Sequence, residues 1–92
     1  MTDEKQTLKN LQTIPNIGPA MAGDLVLLGI QSPEELKGRD PVQLYRELEA
    51  KTGSKQDPCV LDTMMAAVHF AETGERRTWW SFTEERKRFL QP

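Results

Sequence analysis

The sequence is poor in the residues that build disulfide and metal centres. It has one cysteine and one histidine among 92 residues, which excludes an internal disulfide framework and falls short of a zinc site. No apolar run approaches the roughly 20 residues of a membrane-spanning helix. Residues 1–5 are acidic and polar, which does not fit a secretory signal. These absences predict a protein of the reducing cytoplasm that uses no metal, cofactor or membrane.

The chain also lacks an excess of positive charge. Its net charge of −2 counts against a strong nucleic-acid binder. The charges are unevenly distributed, because residues 31–74 hold eight acids and five bases, whereas residues 75–92 hold five bases and three acids. The C-terminal segment either supplies auxiliary nucleic-acid contacts or is an ordinary solvated helix. The basic residues concerned are Arg76, Arg77, Arg86, Lys87 and Arg88.

The length predicts a single domain over residues 1–92. Such a chain buries a modest core and is too short for an enzyme with an elaborate site. No stretch alternates apolar and polar residues as a half-buried strand does, whereas apolar residues recur at helical spacing. We therefore predict an all-α domain of five or six short helices. Residues 1–4 are expected to fray, and residues 75–92 to form a connector and a basic terminal helix.

Proline and glycine mark the ends of the predicted helices. The first helix is expected over residues 5–13, and the second from Pro19 to about residue 28, with Gly29 as its cap. Ser32-Pro33, followed by Glu35, is typical of a capping box and predicts a short third helix. These devices are local, so they predict helix boundaries without reference to the rest of the fold.

Two longer helices open with the same pair of residues. Asp40-Pro41 predicts a helix that ends near residue 51, with Gly53 just beyond it. Asp57-Pro58 opens the longest helix, which carries the widest apolar face and should end at Gly74. We expect this helix to be the centre of the core. A last helix, capped by Ser81 or Thr83 with Glu84 in a capping box, should end near residue 90.

The most specific stretch is the apolar turn Ile14-Pro15-Asn16-Ile17-Gly18-Pro19. Asparagine and glycine tolerate positive φ, and Pro19 can open a helix. A sharp turn followed at once by a helix N-terminus leaves backbone N–H groups without acceptors, and such a cluster attracts an anion, most often a phosphate. A Cβ at Gly18 is expected to obstruct that anion and to strain the backbone. The predicted phosphate-binding residues are Asn16, Ile17, Gly18, Ala20 and Met21, with Lys55 in a second loop.

This run, followed by Ala22 and Leu25, resembles the helix-hairpin-helix motif of proteins that hold DNA without reading its sequence. The motif usually has glycine on both sides of its apolar residue, whereas here the first position is Asn16. The rest of the chain resembles a bacterial family of pathogenicity-locus proteins, also described as mitomycin resistance proteins. That resemblance implies a link to DNA-damage resistance. The residues that carry it are Asp57-Pro58-Cys59-Val60-Leu61-Asp62, Ala67-Val68, Ala71, Trp79-Trp80 and Glu85-Arg86-Lys87.

Two functions remain open for the turn. Main-chain donors contact phosphate and not bases, so the first is weak, sequence-independent DNA binding. The alternative is a protein-interaction module in which a degenerate hairpin docks a partner that carries the activity. Lys55 lies beside the predicted start of the helix at Pro58 and suits a phosphate. Asp57 competes for the same amides as a cap, and we favour that structural role.

A catalytic centre is not expected. Cys59 falls in the first turn of its helix, a place that lowers the pKa of a thiol, and His69 is the only candidate base. Ten residues of helix separate them by roughly 15 Å along the axis. Trp79 and Trp80 stack on exposed bases in one interpretation and cover the core in the other. We expect one tryptophan to cover the core and leave the role of the second open.

Overall fold

The computed structural model of the protein describes residues 4–89. Within this range there are five α-helices, two 3-10 helices and no strand, which confirms the all-α prediction. The α-helices are α1 (Glu4–Leu11), α2 (Pro19–Leu27), α3 (Pro41–Thr52), α4 (Pro58–Thr73) and α5 (Thr83–Phe89). The 3-10 helices are Pro33–Leu36 and Trp79–Phe82. Of residues 1–4, which were predicted to fray, Glu4 begins α1. Residues 1–3 and the predicted end at residue 90 lie outside the described residues.

The glycines and aspartates that were expected to bound α3 and α4 do so. The side-chain oxygen of Asp40 accepts the N–H of Val42 at 3.0 Å, so the first turn of α3 is capped. Gly53 and Gly74 follow the two helices with φ of 68° and 77°. Glycine suits both positions because a left-handed residue closes a helix without steric cost only when it has no Cβ. The boundaries of α3 and α4 are therefore set locally.

The 3-10 helix Pro33–Leu36 begins with an unusual version of the expected capping box. The carboxylate of Glu35 accepts the N–H of Gln31 at 3.0 Å and the hydroxyl of Ser32 at 3.1 Å. The hydroxyl of Ser32 makes no cap bond itself. The acid therefore ties the start of the helix together, and the serine is its donor.

The predicted capping box at the start of the last helix is wrong. Ser81 lies inside the second 3-10 helix, and its hydroxyl donates to the carbonyl of Thr78 at 2.7 Å. Thr83 begins α5, and its hydroxyl donates to the buried carboxylate of Asp62 at 2.8 Å. The 3-10 helix leads directly into α5, so the residue before α5 is already helical and no extended cap residue stands between them.

The core is built around α4, as predicted. All residues from 61 to 68 are buried, so this helix is covered on every side along its middle. Ile14 and Ile17 of the turn are 1% and 5% exposed and belong to the same apolar cluster as the centre of α4. The turn is therefore packed against the core and is not a free loop. A second, smaller cluster joins α4 to the C-terminal segment through Tyr45, Leu61, Met65, Ala66 and Phe82.

Candidate nucleic-acid interface

The turn between α1 and α2 adopts the predicted left-handed conformation at Asn16. With φ of 70°, Asn16 is the one non-glycine residue at positive φ between residues 4 and 89. The next residue points inwards, since the side chain of Ile17 is buried and its N–H donates to the carbonyl of Ile14 at 3.2 Å. The N–H of Ile17 is thus already engaged within the turn, although Ile17 was among the predicted phosphate contacts.

The first turn of α2 is open. Gly18 is the N-cap residue and offers no side chain to cap it, and Pro19 at the first helical position has no N–H. The helical hydrogen bonds begin with the N–H of Ala22, which donates to the carbonyl of Gly18 at 2.9 Å. Within the described part of the chain, no acceptor takes the N–H of Gly18, Ala20 or Met21. Three main-chain donors therefore remain available at one helix N-terminus.

The expectation that a Cβ at Gly18 strains the backbone is wrong. The φ of Gly18 is −93° and its ψ is −173°, an extended conformation that any residue adopts. A Cβ built there meets no atom within 4 Å. Asn16 is therefore the conformationally demanding position of the turn, and Gly18 is not a second one.

The C-terminal connector contacts the turn. The side-chain amide of Asn16 donates to the carbonyl of Arg77 at 2.9 Å across 61 residues of sequence. The guanidinium of Arg76 reaches the carbonyl of Thr13 at 3.5 Å and lies 5.6 Å from the centre of the Phe70 ring. Arg76 is exposed, so it remains a cation beside the turn.

Arg77 and Arg86, two of the predicted auxiliary cations, have partners within the fold. Arg77 hydrogen-bonds the hydroxyl and carbonyl of Ser81 at 3.2 Å each, and its guanidinium lies 4.1 Å from the centre of the Phe82 ring. The Nε of Arg86 is 2.9 Å from the carboxylate of Asp62, which is 0% exposed. This pair fastens α5 to α4 and was not predicted from the sequence. The sign of a buried ion pair in the sequence was Asp62, an acid that lies among the apolar residues of α4.

The remaining predicted cations are exposed. Lys87 is 3.5 Å from Glu84 one helical turn away, and Arg88 has no ion pair or hydrogen bond among residues 4–89. Lys55 lies exposed in the loop between α3 and α4, and no hydrogen bond joins it to the turn. It stands two residues before Asp57, whose carboxylate accepts the N–H of Cys59 at 2.9 Å. Asp57 thus caps α4, as predicted.

The environment of Cys59 differs from the expectation for a helix N-terminus. A hydrogen bond with the Asp57 carboxylate, together with partial burial, raises the pKa of the Cys59 thiol. The pKa of Asp57 is lowered, first because the backbone N–H of Cys59 donates to its carboxylate and then by the bond with the thiol. The ring of His69 is engaged elsewhere, since its Nε2 lies 2.6 Å from a carboxylate oxygen of Glu75. The predicted lowering of the thiol pKa is therefore wrong.

The two tryptophans share one surface of the C-terminal segment. Their rings meet edge to face, with centroids 5.6 Å apart and planes at 87°. Trp79 is partly buried, whereas Trp80 is 61% exposed. The side chain that covers the small core here is Phe82, at 4% exposed. One aromatic ring thus remains largely in solvent, three residues from the connector's hydrogen bond with Asn16.

Two negative findings apply to the described residues alone. No three histidine, cysteine, aspartate or glutamate side chains lie close enough together in residues 4–89 to suit a metal ion. None of the helices described is long and apolar enough to cross a membrane.

Comparison with known proteins places this chain in a family. Residues 4–88 match the family model described as Pathogenicity locus. A relative named Mitomycin resistance protein McrB, from Streptomyces lavendulae, is 44% identical over 81 residues, which cover 88% of this chain and 77% of that protein. No solved structure gives a significant match. The chain therefore belongs to the pathogenicity-locus family.

Proposed function

We propose that the protein binds DNA weakly and without sequence preference, and that α1, the turn and α2 act as a helix-hairpin-helix unit. The observation that carries the proposal is the open first turn of α2. Three main-chain N–H groups there, on Gly18, Ala20 and Met21, have no acceptor within residues 4–89. The helix dipole adds a partial positive charge at the same place.

The arrangement favours the backbone of DNA over its bases. Main-chain amides have fixed geometry and no side-chain chemistry, so they suit a phosphate oxygen and carry no information on sequence. Arg76 lies beside the turn and adds a cation, and the exposed Lys55, Lys87 and Arg88 contribute at longer range. With a net charge of −2 the overall field is not attractive, so we expect weak binding.

We infer that this binding serves resistance to DNA damage in the bacterial cytoplasm. The support is the name of the relative, a mitomycin resistance protein from Streptomyces lavendulae. We propose that the chain contributes binding and no catalysis. The raised pKa of the Cys59 thiol favours the neutral, poorly nucleophilic form, and the partner of His69 is Glu75.

A protein-interaction module is the second candidate, and one surface favours it. An open groove of about 380 Å³ runs along α3. Apolar side chains line it together with acidic and basic ones, and a non-obligate protein interface as a whole is about as apolar as the rest of a protein surface. Its lining residues are Asp40, Val42, Gln43, Arg46, Glu47 and Ala50.

Salt dependence separates the two candidates. Fluorescence anisotropy with two labelled duplexes of equal length and different sequence should give equal affinities that fall steeply with salt. Replacing Lys87 and Arg88 together by alanine should flatten the salt slope by about 0.9 for each phosphate that the variant no longer neutralises. Arg86 is left unchanged because it holds α5 to the core. Failure to bind either duplex at low salt, or an affinity insensitive to salt, would contradict DNA binding.

A further inference from the structure

We propose that the DNA held at the turn presents an unpaired base to Trp80, so that single-stranded DNA is the preferred ligand. The inference rests on the proposed phosphate site and specifies its ligand. Trp80 is 61% exposed and is the most exposed aromatic ring within residues 5–88. A large apolar ring in solvent forgoes the free energy of burial, which a stacked ligand would restore.

The segment that carries Trp80 is folded by contacts of its own. The rings of Trp79 and Trp80 meet edge to face, with their planes at 87°. Phe82, in the same 3-10 helix, is buried in the core, and Arg77 stacks over it while bonding to Ser81. The segment from Arg77 to Phe82 is therefore a folded unit, and it holds Trp80 out as a stacking platform.

The platform is joined to the turn through Arg77. The amide of Asn16, in the turn, donates to the carbonyl of Arg77 at 2.9 Å, and Trp80 follows three residues later. At no more than about 3.6 Å per residue, the backbone of Trp80 lies within about 11 Å of Arg77. A few nucleotides of one strand span that distance. One strand can thus place a phosphate at α2 and a base on Trp80.

The charges beside the turn favour nucleic acid over an apolar protein segment. Arg76 is exposed beside the turn. Of the acids within five residues of Trp80, Glu75 and Glu84 are paired with His69 at 2.6 Å and with Lys87 at 3.5 Å, and Glu85 is exposed. A ligand that is both anionic and aromatic satisfies the cation, the amides and the ring together. A continuous duplex does not, because its bases are already stacked on one another and offer only their edges in the grooves.

The test compares three probes of equal length: a thymidine oligomer, an abasic strand with the same phosphates, and a duplex. Wild-type protein should bind the thymidine oligomer at least about fivefold more tightly than the abasic strand, the lower end of what one stacked base contributes. Tryptophan fluorescence should be quenched by the oligomer and not by the abasic strand. Trp80→Leu should bind both strands equally, whereas Trp80→Tyr, which keeps an aromatic ring, should retain most of the difference.

Each outcome bears on one proposal or on both. The control is the affinity for the duplex, which should be the same in wild type and Trp80→Leu. Equal affinities would show that the variant is folded and that its phosphate site is intact. Equal binding of the thymidine and abasic strands by the wild type would overturn the stacking proposal and leave phosphate binding standing. Absence of binding to all three probes at low salt would overturn the proposed function and this inference together.

Discussion

Two helices of this protein begin with the same device and end up chemically different. Both α2 and α4 have proline at the first helical position, preceded by an extended N-cap residue. At α4 the N-cap is Asp57, whose carboxylate accepts the N–H of Cys59 at 2.9 Å. At α2 the N-cap is Gly18, which has no side chain, and the N–H groups of the first turn stay without acceptors in the described structure.

The N-cap residue decides whether the first N–H groups of a helix are bonded within the fold or available to a ligand. A carboxylate at the N-cap supplies the anion that the dipole and the free amides attract, so the site is filled from within. The start of α3 is closed in the same way by Asp40. The start of α2 is the exception, and it lies in a turn that is buried on its inner side and anchored to Arg77 on its outer side.

The largest effect on stability is expected at the ion pair between Asp62 of α4 and Arg86 of α5. Arg86→Met should lower the free energy of unfolding by about 3–5 kcal/mol, because it leaves the fully buried Asp62 carboxylate without its ionic partner. Urea denaturation followed by circular dichroism measures this. The matched control is Lys87→Met, whose exposed pair with Glu84 should change stability by no more than about 0.5 kcal/mol. Equal losses in the two variants would refute the structural role of Arg86.

The second effect concerns the turn that holds the open end of α2. Asn16→Ala should cost roughly 2–3 kcal/mol, since alanine resists the left-handed conformation and cannot donate to the carbonyl of Arg77. Asn16→Gly keeps the conformation and removes only the hydrogen bond, so it should cost about 1 kcal/mol. Thermal unfolding of the pair separates the two contributions. Identical losses would mean that the left-handed backbone carries no cost here.

The third prediction concerns a variant in which a carboxylate caps α2, as Asp57 caps α4. Gly18→Asp should weaken duplex binding at least about tenfold, because the new carboxylate occupies the free amides and repels a phosphate. The extended backbone and the empty space around Gly18 accept the side chain, so stability should rise by a few tenths of a kcal/mol. Gly18→Ala is the matched control, because it adds the Cβ without a carboxylate, so its affinity should fall by much less than that of Gly18→Asp. Unaltered binding by Gly18→Asp would rule out the first turn of α2 as the phosphate site.

The smallest expected effect is a pH dependence of stability that comes from Asp57, the residue that caps α4. The bond from the Cys59 N–H lowers the pKa of Asp57 in the folded protein below its ordinary value of 3.8. The stabilisation is therefore fully present above that value and is lost as the pH falls through the lower, folded pKa. Acid titration should show a smaller loss of stability in Asp57→Asn than in wild type, because only the contribution of Asp57 is removed. Gly18→Asp should acquire a second, similar dependence from α2, and its absence would show that the new side chain does not cap.

The sequence predicted those parts of the fold that depend on neighbouring residues. The Asp-Pro starts, the glycine ends of α3 and α4 and the left-handed Asn16 are all local devices, so they could be found by inspection. The interactions that fix the site are not local. The Asp62–Arg86 pair spans 24 residues and the Asn16–Arg77 bond spans 61. Both depend on where the C-terminal segment packs, which no local pattern specifies.

The central claim is that the open N-terminus of α2, and not the closed one of α4, holds a phosphate. Amide chemical shifts during titration with a short duplex at low salt test this within one molecule. The account predicts the largest shifts at Gly18, Ala20 and Met21, with little change at Cys59 and Val60, whose N–H groups are bonded to Asp57. Largest shifts at the start of α4, or none at millimolar DNA, would contradict it.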